Sequence, residues 1–205
     1  MSSDRWTYWL VAGVLFLLLA VACFFEFNNY WIYGHNGFNS ATYAHAARCM
    51  LRHDVWGLLK YFYKPGDPEP HMFYTRHPYL EPYLVTFLYW ITGADKSEAI
   101  ARIVPVTFTL GSAGAIFVML RRFWDDITAL CGLVALALIP IFLMFAPMIE
   151  HEQACFFFTL VFLGLYVEWL DRGGTWLLAG ILVAVTLAGQ SDWSAYYTAF
   201  PIEIG

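Results

Sequence analysis

Five apolar stretches, separated by polar joints of two contrasting kinds, constrain this chain more than any other feature. They run over about 6–25, 103–120, 127–147, 153–170 and 175–189. The first, Trp6 to Phe25, is close to the ~20 apolar residues that cross a hydrocarbon core of roughly 30 Å. Backbone N–H and C=O groups find no water in that core, so an uninterrupted run of this length has to be helical. Ala20-Val21-Ala22-Cys23 resembles a lipoprotein cleavage site. A single Arg5 makes a poor basic leader, however, and apolar residues continue through Phe24 and Phe25, so the segment is expected to stay as an uncleaved helix.

The composition excludes a water-soluble globule. Hydrophobic residues make up 60% and charged residues 13%, with a mean hydropathy of +0.56, against roughly 45–50% and about 25% in soluble domains. A chain of 205 residues of this kind is expected to form a single membrane domain over 1–205. The net charge of -5 argues against a nucleic-acid partner, which calls for a basic stripe. Cys23, Cys49, Cys131 and Cys155 show no metal-binding spacing, and no disulfide is expected.

The joints fix an orientation. Arg121, Arg122 and Arg172 sit in short connections and, with Arg5, mark the cytoplasmic side, which leaves Glu150-His151-Glu152 and Asp192 outside. Charge and alternation agree only if the apolar piece Tyr83 to Ile91, bracketed by Glu81 and Asp95, does not cross. A re-entrant or interfacial helix is therefore expected at about 80–92. It closes a large first outer loop, 26–102, with two further amphipathic pieces at 40–51 and 55–63. Lys64-Pro65-Gly66-Asp67-Pro68-Glu69-Pro70 breaks regular structure between them. All six histidines, His35, His45, His53, His71, His77 and His151, fall on the outer side, which favours chemistry or ligand binding there. On the second span Gly111, Ser112, Ala113, Gly114 and Ala115 form a close-packing face.

Several of these segments carry a family resemblance. Gly34-His35-Asn36-Gly37-Phe38-Asn39-Ser40-Ala41-Thr42-Tyr43-Ala44, followed by Ala47-Arg48, resembles the first-loop signature of the GT-C glycosyltransferases. That superfamily includes the protein O-mannosyltransferases and the lipid A aminoarabinose transferases. Tyr74-Thr75-Arg76-His77-Pro78-Tyr79-Leu80 is similar to its His-Pro-Pro-Leu segment, and Ala101-Arg102-Ile103-Val104-Pro105 to its Ala-Arg-Leu-Pro segment. Arg121-Arg122-Phe123 resembles its basic close of the second span, and Met148 to Gln153 occupies the position of the outer loop where the family has another acidic residue.

The resemblance implies an integral multi-pass protein of the plasma (inner) membrane, with a cytoplasmic N-terminus and an extracytoplasmic working face. It also implies transfer of a sugar from a polyprenyl-phosphate-linked donor to a lipid, glycan or protein acceptor. The family's Asp-Glu pair is replaced here by Asn39 and Ser40, and a neutral amide cannot take the acceptor's proton. His35, with an unperturbed pKa of about 6.5, and Glu81 are the replacement candidates, so the expected catalytic group is His35, Asn36, Asn39 and Glu81. Arg76, His77 and Arg102 are expected to hold the donor phosphate. Imidazole plus carboxylate suits a divalent metal ion, for which His151 and Glu152 are the candidates. Three consecutive helical side chains cannot all converge on one ion, so a partner from the first loop such as His35 or His77 is needed.

The fold class expected is all-α, a polytopic transmembrane helical bundle whose large first extracytoplasmic loop carries juxtamembrane amphipathic helices. Family members are longer, and the chain is expected to be an N-terminal fragment truncated at its C-terminus. The alternatives are a non-catalytic relative that binds lipid-linked sugar, which Asn39 favours, and a transporter or flippase. The latter would carry charges inside its spans, and Glu168, near the cytoplasmic end, is almost alone there.

Overall fold

The computed structural model describes residues 3–25, 34–53, 59–60, 73–74 and 77–203. Among these the fold is an all-helical membrane bundle, apart from a two-residue antiparallel pairing of β1 (Leu59–Lys60) with β2 (Phe73–Tyr74). Among the described residues three helices are long and apolar enough to cross a membrane: α1 (Ser3–Phe24), α4 (Glu98–Phe123) and α7 (His151–Arg172). Two shorter apolar helices, α5 (Asp126–Ala137) and α8 (Thr175–Ser191), pack beside them.

Several helix boundaries have a local cause. Ser97 caps α4 by accepting the Ile100 amide at 3.3 Å, and Asp125 caps α5 by accepting the Thr128 amide at 2.7 Å. The segment expected as one span over 127–147 is broken into α5 and a short α6 (Pro140–Phe145). Pro140 lacks an N–H and would clash with a preceding helical turn, so Ile139 becomes extended and Pro140 takes the first turn of the new helix. Gly173 and Gly174 turn α7 into α8 with φ of 65° and 109°, a left-handed region that only glycine enters cheaply.

One end of the bundle is drawn together by arginines. Arg121 at the end of α4 pairs with Asp126 of α5 at 2.8 Å and lies 4.4 Å from the Trp9 ring of α1. Arg122 reaches Glu168 of α7 at 3.1 Å, and Arg172 meets the same carboxylate at 2.6 Å. The opposite end holds α2 (His35–His53), α3 (Leu80–Thr92), the starts of α4 and α7, and the end of α8, followed by α9 (Ser194–Glu203). There α2 presents fully buried Ala44, Ala46 and Ala47 to Val85 and Tyr89 of α3. Small side chains let the two backbones approach, and the Thr86 hydroxyl donates to the Ala47 carbonyl at 3.3 Å.

The small-residue face of α4 serves two neighbours. Gly114 faces Phe16 of α1, whereas Gly111 lies against the edge of the Phe157 ring of α7. A Cβ at Gly111 would sit 2.9 Å from that ring, while one at Gly13 on α1 meets nothing within 4 Å. Gly111→Leu is expected to lower stability by about 1–3 kcal/mol through overpacking, and Gly13→Leu to leave it unchanged. Thermal unfolding of both variants in detergent checks the contrast.

Candidate functional site

The polar residues at the α2–α3 end converge on the loop that opens α7. Asn39 and Tyr43 lie one helical turn apart on α2, so both face this loop. The Asn39 amide donates to both carboxylate oxygens of Glu150, at 2.8 and 2.9 Å. Beside it the buried Ser40 hydroxyl accepts the Ile149 amide at 3.1 Å. Ile149 and the preceding Met148 are fully buried here. Glu150 occupies the N-cap position of α7 yet makes no side-chain cap bond, because its carboxylate is turned to Asn39.

A second chain of contacts runs alongside. The buried His151 sits with Nε2 2.7 Å from the Tyr43 hydroxyl. The His77 ring stacks on His151 with centroids 4.8 Å apart and planes 9° from parallel. Nδ1 of His77 lies 3.0 Å from Asp192, which also accepts the Ser194 hydroxyl at 2.6 Å. Burial pushes the Asp192 carboxyl up, but the hydrogen bonds from Ser194 and His77 outweigh it and hold the group below its ordinary value. Four parts of the chain are thereby joined: α2, the residues before α3, the start of α7, and the turn between α8 and α9.

Glu81, in the first turn of α3, is wholly buried, and neither carboxyl oxygen makes a hydrogen bond of ordinary geometry. Desolvation holds its pKa well above the normal carboxylate value, reinforced by the negative charges of Glu152 and Glu150; the Glu150 backbone pulls the other way. A carboxyl so placed is shielded from water, and its surroundings disfavour the charged form.

The expected site residues therefore fall into distinct groups. Asn39, His77 and His151 come together, with Glu81 buried behind Glu150 and with Glu152 exposed on the same turn. Arg102 is buried at the start of α4, 3.9 Å from Glu98. His35 and Asn36 occupy the first turn of α2, and their side chains, like the whole of Arg76, lie outside the described residues. Among the described residues no three metal-type donors gather in one place. An ion on His151 and Glu152 would have to draw its other ligands from elsewhere, and His151 Nε2 is already engaged by Tyr43.

In the sequence Tyr43 stands out only as part of the first-loop signature, and no role is assigned there to Glu150 or Ser194, which meet Asn39 and Asp192. The usable signal was the neutral Asn39 itself, since an amide donor in place of a carboxylate calls for an acceptor nearby.

Between α5, α6 and α7 an apolar cavity of about 480 Å³ opens beside this cluster, walled by Leu136, Ile139, Phe142 and Phe156, with Glu152 at its edge.

The buried Glu81 carries a pH signature. Its folded pKa lies above its unfolded value of about 4.3, so the folded state binds the extra proton over that interval, and stability falls as pH rises through it. Asp192 works in the opposite sense, its contribution being lost as pH falls. Comparing wild type with Glu81→Gln isolates the first effect: the variant is expected to lose less stability between pH 4 and pH 7, as read by thermal unfolding.

The family model described as dolichyl-phosphate-mannose-protein mannosyltransferase matches residues 76–200, more than half of the chain and the part that includes His77, Glu81, Glu150, His151 and Asp192. No curated protein and no solved structure gives a significant match.

Proposed function

We propose that this chain, which belongs to the dolichyl-phosphate-mannose-protein mannosyltransferase family, transfers a sugar from a polyprenyl-phosphate donor to an acceptor hydroxyl at the α2–α3 end of the bundle. Membership makes it a membrane glycosyltransferase that uses a lipid-linked sugar. The observation that supports the finer reading is the Asn39–Glu150 contact, which supplies a carboxylate where the replaced Asp would have stood.

In this reading Glu150 accepts the proton of the acceptor O–H while that oxygen attacks the anomeric carbon. The bond from that carbon to the phosphate oxygen breaks, and polyprenyl phosphate leaves with the bonding electrons. Asn39 holds both carboxylate oxygens, so the base approaches in a fixed orientation. Charge growing on the departing phosphate needs preorganised donors, and Arg76, His77 and Arg102 are assigned that task. His77 is bonded to Asp192 and stacked on His151, so the orientation of its ring is set. The 480 Å³ apolar cavity beside Glu152 takes the first isoprene units of the donor. The positive-inside rule favours a cytoplasmic Arg121, Arg122 and Arg172 end, and in this reading the transfer runs on the extracytoplasmic face.

Sugar release from a panel of polyprenyl-phosphate hexoses, beginning with mannose, tests this reading. Glu150→Gln is expected to reduce kcat by 10²–10⁴-fold, the range of a lost general base, while donor binding persists. Asn39→Asp would set two carboxylates within about 3 Å, so that one retains its proton; the acidic limb of the pH–rate profile should move to higher pH. Full turnover in Glu150→Gln would refute the assignment. No turnover with any donor by a folded wild-type protein that still binds polyprenyl phosphate would favour the non-catalytic relative.

A further inference from the structure

At the Arg-rich end a second cavity, about 810 Å³, lies between α1 and α4 and has no part in the transfer chemistry. Its floor is made by Ala12, Gly13 and Gly114, and its walls by Trp9, Phe16 and Phe117. The space is open: a Cβ on Gly13 would meet nothing within 4 Å, and one on Gly114 only the tip of Phe16 at 3.8 Å. Among the described residues three charged ones line it, Arg121, Arg122 and Asp126, and together they carry one net positive charge.

Arg121 is the better placed of the two arginines. Its Nε donates to Asp126 at 2.8 Å and its guanidinium lies over Trp9 at 4.4 Å, which fixes the plane of the group. Its two Nη atoms make no hydrogen bond among the described residues, and its side chain is 33% exposed. A guanidinium held flat with one edge free is shaped for two oxygens of a phosphate. Arg122 is already taken up by Glu168 at 3.1 Å and Asp171 at 3.7 Å.

The depth of the cavity also identifies its surroundings. Trp6, Trp124 and Trp176 are 68%, 66% and 89% exposed, and all three stand at this end, the arrangement that marks the headgroup level of a bilayer. Leu10, Val14 and Leu17 of α1 are exposed on the adjoining helix surface, as they would be against acyl chains. We infer that this groove binds one anionic glycerophospholipid, with its phosphate on Arg121 and an acyl chain laid over Gly13 and Gly114. The donor lipid is a poor occupant: Arg121 stands ~28 Å along α4 from Arg102 at 1.5 Å per residue, in the other leaflet.

Purified full-length protein in detergent is titrated with dioleoylphosphatidylglycerol or dioleoylphosphatidylcholine, reading bound lipid by native mass spectrometry and stability by thermal shift. The phosphatidylglycerol is expected to bind one per chain and to raise the melting temperature, and the phosphatidylcholine to do neither. Arg121→Gln should weaken the phosphatidylglycerol about tenfold or more, as for loss of a charged hydrogen-bond pair. Gly13→Leu, where a Cβ meets nothing within 4 Å and the longer side chain would enter the groove, should remove binding while the protein stays monodisperse. Equal binding of the two lipids, or phosphatidylglycerol binding unaltered by Gly13→Leu, would overturn the proposal. So would displacement of phosphatidylglycerol by polyprenyl phosphate, which would give the groove to the donor.

Discussion

The contact between Asn39 and Glu150 holds together parts of the chain that are otherwise far apart in sequence. It spans 111 positions and is flanked by the Ser40–Ile149 bond, which spans 109. Together they seat the loop before α7 on the first turns of α2. Hydrogen bonds to a charged group contribute about 1.5–3 kcal/mol each where water is limited. Asn39 and Glu150 are half-buried, so water screens this pair only in part. Because α7 in turn pairs along its length with α8, fixing its first residue also fixes where Asp192 stands at the end of α8. The His77–Asp192 and His151–Tyr43 contacts therefore depend on the same seat.

Polar contacts of this kind matter more in such a bundle than in a soluble protein, because apolar helices gain little from burying apolar surface against one another when lipid is the alternative. The described helices are instead joined by close packing at small residues and by a few polar bridges. Thr109 of α4 donates to Gln153 of α7 at 3.1 Å, with both side chains buried. At the other end Glu168 receives two arginines from two helices. The bundle is thus pinned at its ends and near the start of α7, with apolar packing between.

Much of this was legible in the sequence for a simple reason: apolar run length and Arg-bearing joints are one-dimensional signals. The runs at 6–25 and 153–170 correspond to α1 and α7, and the short apolar piece bracketed by Glu81 and Asp95 is α3. The signal failed where a backbone rule acts within an apolar run, since hydropathy does not register that Pro140 divides α5 from α6. It failed again at the site. Glu150, His151 and Glu152 are consecutive in sequence yet have three different surroundings: the amide of Asn39, the ring of His77 with the Tyr43 hydroxyl, and the edge of an apolar cavity. Helical geometry says that such neighbours diverge, but it does not say toward what. Partners more than a hundred positions away decide that.

The replacement of an acidic residue by Asn39 reads differently once its partner is known. A carboxylate at position 39 would face Glu150 across a hydrogen-bond distance in a half-buried site, a repulsion that the surroundings could relieve only by keeping a proton on the pair. An amide there turns the same geometry into two donated bonds. The neighbouring change fits the same logic, because Ser40 is buried against the Ile149 backbone and a longer acidic side chain would displace the loop. The two neutral residues on α2 and the carboxylate on the α7 loop are complementary as a set. A carboxylate carried by that loop, rather than by α2, has its position set by α7 and α8 and by whatever fills the cavity beside Glu152. Occupation of the cavity by the donor's chain can therefore bear directly on the orientation of the group assigned to activate the acceptor.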